Sequence, residues 1–78
     1  MRTIIQWVNA EGVQLRRALF DTDFVDQYKW VDGGVAMLSD PSAKEGERKT
    51  LPFLILSIKE EEHKGEDVNL VVLRKPAN

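Results

Sequence analysis

His63 is the chain's one histidine, set between Glu62 and Lys64 in a run of charge, and there is no cysteine. Nucleophile–base chemistry would need a hydroxyl carried to that imidazole from elsewhere, and no local spacing arranges this. A zinc site needs further nitrogen or sulfur ligands, which the composition does not hold. Carboxylates are plentiful: Glu60-Glu61-Glu62 with Glu66 and Asp67 around one turn, and Asp21, Asp23 and Asp26 around another. Hard cations take oxygen ligands, but the Asp-x-Asp-x-Asp-Gly order of a calcium loop is missing. Two acids from different strands could meet as a glycosidase pair, yet so short a chain has little bulk to enclose a pocket around them. Neither GxGxxG nor GxxxxGK[ST] occurs, so Gly33-Gly34 is turn chemistry and not a phosphate loop. The pattern reads as a protein that is not an enzyme and holds no cofactor or metal. The acid reads as gatekeeping that keeps an apolar strand from stacking on other chains.

Recognition chemistry is better represented. Tyr28 and Trp30 alternate with Gln27 and Lys29 beside a glycine-rich turn, and Arg16-Arg17 lies upstream. On an outer face, Tyr28, Trp30, Arg16 and Arg17 would form a hot spot for a protein partner. The same residues could stack single-stranded bases. Large rings in a small domain more often build the core, the place expected for Trp7, Phe20 and Phe53, and the more common fate of Trp30 as well.

The elements that must position these residues centre on Leu51-Pro52-Phe53-Leu54-Ile55-Leu56-Ser57-Ile58. Both alternating sets in this stretch are apolar, so it is expected to be a strand with protein on each side. Pro52 suits the first residue of a strand. Val68 to Leu73 is its antiparallel partner, joined through the polar connection Glu60 to Asp67. Thr3 to Val8 reads as a strand, Asn9 to Gly12 as a turn, and Val13 to Phe20 as the returning strand, with a helix aligning Leu15, Ala18 and Leu19 as the alternative. The segment 23–31 has two readings. Asp23 could cap a short helix ending near Gly33-Gly34, or Gln27 to Val31 could be a strand turned by Asp32-Gly33-Gly34 into Val35 to Leu38. The β-forming character of Tyr, Trp and Val favours the hairpin. Residues 39–50 read as a flexible polar loop, and Pro76 ends the last strand.

Composition bounds the rest. The 78 residues are 42% hydrophobic and 31% charged, as in an ordinary globular domain. One domain over 1–78 is expected, of modest stability because a short chain buries only about 60–65% of its unfolded surface. A net charge of −2 lacks the basic excess of a phosphate-backbone binder. No stretch approaches the roughly 20 apolar residues of a membrane span, and with Gln6 and Asn9 breaking the first apolar cluster no signal segment is expected. Without cysteine, the cytoplasm is the expected compartment.

The expected fold is therefore all-β, a small antiparallel sheet or small barrel of five to six strands, with α+β and one short helix near 23–31 as the alternative. The expected function is a non-enzymatic protein-binding module: a small adaptor, subunit or inhibitor that covers the surface of a larger protein. A strand edge that pairs two copies into a homodimer belongs to the same reading. A single-stranded nucleic-acid-binding β domain is the alternative.

Overall fold

The computed structural model describes residues 1–39, 44, 46 and 49–76. Its elements are β1 (Arg2–Val8), β2 (Gln14–Phe20), α1 (Phe24–Tyr28), β3 (Val35–Ser39), β4 (Thr50–His63) and β5 (Glu66–Arg74). The five strands form one sheet in the order β2-β1-β5-β4-β3, curled into a half-barrel. The expected all-β class holds, and both sequence-local hairpins are present, β1 with β2 and β4 with β5.

The sheet is mixed, because β1 and β5 pair in parallel at its centre. These strands carry buried side chains on both faces: Ile4, Ile5, Trp7 and Val8 in β1, Val68, Val71 and Leu73 in β5. Parallel pairing in a doubly buried position follows that distribution. Inside the half-barrel, Ile5, Trp7, Phe53, Ile55, Val71 and Leu73 meet Trp30 and Ala36 as one core.

The central apolar stretch behaves differently from expectation. Phe53 and Ile55 are 0% and 1% exposed, whereas Leu54 and Leu56 are 37% and 43% exposed. Only the inner set is covered, since no second layer packs on the outside of β4. A bulge lies between Ile55 and Ser57, so Leu56 and Ser57 share the place opposite Val72 on the outer face. Pro52 costs no ladder bond: its missing donor would face β5, which ends at Arg74 opposite Leu54.

The hairpin expected over Gln27 to Val31 is replaced by α1. Asp23 caps it, its Oδ1 accepting the Asp26 N–H at 3.0 Å, and Lys29 closes it at φ 54°. A satisfied cap outweighed the strand propensity of the following residues. The helix adds one turn to an all-β sheet, so the α+β alternative is not the architecture. Asp32-Gly33-Gly34 still turns the chain into β3, with the Gly34 N–H donating to the Val31 carbonyl at 3.0 Å. The segment is also stitched to β4 beyond the end of β3. Gly33 N–H donates to Ile55 O at 2.8 Å, Ile55 N–H donates to Gly34 O at 2.9 Å, and Asp32 Oδ1 accepts the Ile58 N–H at 2.7 Å.

The acidic connection is shorter than expected. Strands continue to His63 and resume at Glu66, leaving Lys64-Gly65 as the turn, with φ 50° and 79°. Two left-handed residues match the twist of the flanking strands. The polar loop expected over 39–50 lies largely outside the described residues. Among the described residues, no helix is long and apolar enough to cross a membrane.

Candidate functional site

The four residues expected to form a recognition patch are dispersed. Strand alternation puts Arg16 opposite Trp7 on the inner face and Arg17 opposite Gln6 on the outer one. The Arg16 guanidinium sits 6.0 Å from the centroid of the Trp7 ring. Tyr28 and Trp30 do come together, with ring centroids 6.3 Å apart, and both stack on Phe24. Phe24 stacks on Trp30 at 5.3 Å and on Tyr28 at 5.9 Å, and Phe20 meets it edge-on at 5.5 Å. Trp30 is 8% exposed and belongs to the core, while Tyr28 is 56% exposed and forms the outer end of this row of rings. Arg16 lies four residues along β2 from Phe20, about 13 Å at the rise of a strand. No single face presents both arginines and both rings. Trp7 and Phe53 are buried as expected, and Phe20 is partly buried against the core. The Trp7 indole N–H is buried with no acceptor among the described residues.

The acidic residues after β2 have structural work. Thr3 Oγ1 donates to Thr22 O at 2.8 Å and accepts the Phe24 N–H at 3.3 Å, tying β1 to the start of α1. Asp23 also accepts from Asn69 Nδ2 at 3.3 Å and meets the Met1 ammonium at 3.2 Å. The Asp26 backbone N–H is the main cause holding the Asp23 carboxyl below its ordinary value, with the ammonium and Asn69 adding to it. Next to this, Arg2 Nε donates to Glu66 Oε2 at 2.9 Å. That hydrogen bond lowers the Glu66 carboxyl and raises the Arg2 guanidinium. Asp23, Asp26, Lys29, Trp30, Glu60 and Asn69 border an open depression of about 390 Å³. Its charges are either spent on capping and pairing or open to water. No group of three metal-ligating side chains exists among the described residues.

The feature that sequence reasoning missed lies on the other side of the sheet. Val35 and Met37 of β3 are each 57% exposed. They sit in register with Leu54 and Pro52, placing them on the outer face beside Leu54 and Leu56. Leu70 and Val72 of β5 continue the patch, partly exposed. Arg17, Lys59 and Arg74 occupy the same face by their pairing with Gln6, Leu70 and Leu54. The result is an apolar strip with basic residues around it. Contiguous exposed apolar surface rimmed by polar groups is characteristic of an interaction site. Its signal in the sequence was the doubly apolar alternation of β4, which does not say which set is covered.

Comparison with known protein families, with curated proteins and with solved structures finds no match.

Proposed function

We propose that this chain is a non-enzymatic protein-binding module that lays the outer face of its sheet on a larger partner. The observation that carries the reading is the exposure of Val35, Met37, Leu54 and Leu56 side by side on the β3–β4 part of the outer face. Covering such side chains releases roughly 25 cal/mol for each Å² removed from water. The basic residues at the margin suit a partner with an apolar centre and acidic surroundings. A place in the cytoplasm accords with a sequence that uses no cysteine. Arg16 and Arg17 lie on opposite faces and Trp30 is buried, which favours the protein-binding reading over the nucleic-acid alternative.

Site-specific photocrosslinking in cells tests this. A benzophenone side chain at Met37, Leu54 or Leu56 is expected to give one common protein adduct, and the same probe at Tyr28 or Glu62 to give none. Failure of all three outer positions, or an equal adduct from Tyr28, would remove the reading.

A further inference from the structure

The two edges of the sheet are not alike. β2 carries Arg16 and Arg17 and an irregular register against β1 between Trp7 and Val8. Charge and bulges are the usual means of keeping an edge from pairing with another chain. β3 has neither: Val35-Ala36-Met37-Leu38-Ser39 is uncharged and pairs with β4 without a shift. It also contains no proline.

Among the described residues, the backbone of β3 divides into groups bonded to β4 and groups turned away from it. Ile55 exchanges hydrogen bonds with Gly33 and Gly34, so alternation turns Phe53 and Leu51 toward β3 as well. Ala36 and Leu38, their register partners, spend their backbone groups on β4. Val35, Met37 and Ser39 therefore aim their N–H and C=O groups outward, away from the sheet.

We propose that β3 pairs antiparallel with β3 of a second copy of this chain, about a two-fold axis at Met37. In that register Met37 faces Met37 of the second copy and Val35 faces Ser39, satisfying all the outward groups with about six hydrogen bonds. A two-fold axis sets each residue against itself or its mirror position, so any charge on the edge would oppose its own kind. β3 is the edge without that obstacle; on β2 the axis would bring arginines together. The partner is thus a second copy, chosen by self-complementarity of charge and backbone. Edge pairing of five-residue strands buries less than the ~800 Å² per partner of a standard interface, so the association is expected to be weak and concentration-dependent. The outer apolar faces of the two copies become one surface. This inference does not depend on the partner reading above, which is tested by adducts to a different protein.

The chain has no cysteine, so single-cysteine variants report on register directly. Met37→Cys places two thiols on residues about 5.5 Å apart between Cα atoms, inside the range of a disulfide. Val35→Cys sits at a position of the same 57% exposure but would lie about 13 Å from its own counterpart. Under oxidised glutathione, Met37→Cys is expected to form covalent dimer at least about tenfold faster than Val35→Cys. Sedimentation of the unmodified chain is expected to show the mass doubling between about 1 and about 500 µM, and Met37→Lys to remain monomeric while keeping its circular dichroism. A single-copy mass throughout, equal coupling of the two variants, or a dimer that Met37→Lys leaves intact would each overturn the proposal.

Discussion

Replacing Phe53 and, separately, Leu54 by alanine compares the two faces of one strand at adjacent positions. Phe53 is fully buried in the core, whereas Leu54 is more than a third exposed on the outside. Deleting the Phe53 ring leaves a cavity in the core beside its register partner Ala36 and is expected to cost about 3–5 kcal/mol. The Leu54 side chain opens to solvent, so its loss leaves no enclosed void and costs about 1–2 kcal/mol. A domain of this length has a total stability of about 4–12 kcal/mol. Phe53→Ala should therefore lower Tm by at least about 15 °C, and Leu54→Ala by roughly 5–10 °C. Urea denaturation with thermal scans by circular dichroism reads both. Equal losses at the two positions would mean that the outer set is as well covered as the inner one, and the case for a free outer face would collapse.

Other consequences follow from the polar residues. Glu62 stands directly opposite Asp67 across the β4–β5 hairpin, a like-charge pairing that opposes folding. Glu62→Lys should stabilise the chain by about 0.2–1 kcal/mol, with the gain shrinking in high salt; an unchanged urea midpoint at low salt would contradict this. Asp23 and Glu66 both have lowered carboxyl values, so the unfolded chain binds protons more readily than the folded one in acid. Their stabilisation is full above the unfolded range near pH 4 and is lost as pH falls through the lower folded values. The urea midpoint should hold from neutral pH to about pH 5 and then fall, with a shallower fall in Glu66→Gln. A midpoint insensitive to acid would show that these contacts do not support the fold.

Strand periodicity and turn chemistry made much of the sheet legible. Thr3 to Val8 and Gln14 to Phe20 flank the turn residues Asn9 to Gly12, and the β4–β5 hairpin announces itself by two apolar runs around Gly65. The parallel contact of β1 with β5 was not legible, since it joins residues more than sixty positions apart and depends on how the whole sheet closes. The helix was partly legible: Asp23 is a cap residue on inspection, but Tyr28, Trp30 and Val31 pull the reading toward a strand. Strand alternation alone could have separated Arg16 from Arg17 and dissolved the expected patch. Residue type cannot report whether Leu54 and Leu56 are covered, because a leucine in a core and one awaiting a partner are chemically the same. The asymmetry of the two edges was present in the sequence, but it acquired meaning only once β2 and β3 were known to be the edges.

The most direct measurement is of the double substitution Leu54→Lys with Leu56→Lys, examined for both folding and recognition. If the inner face builds the fold and the exposed β3–β4 part of the outer face binds, this variant keeps a cooperative thermal transition while a photocrosslinker at Met37 no longer yields the adduct to a different protein seen in the parent chain. An unfolded variant, or an undiminished adduct, would contradict that division of the sheet.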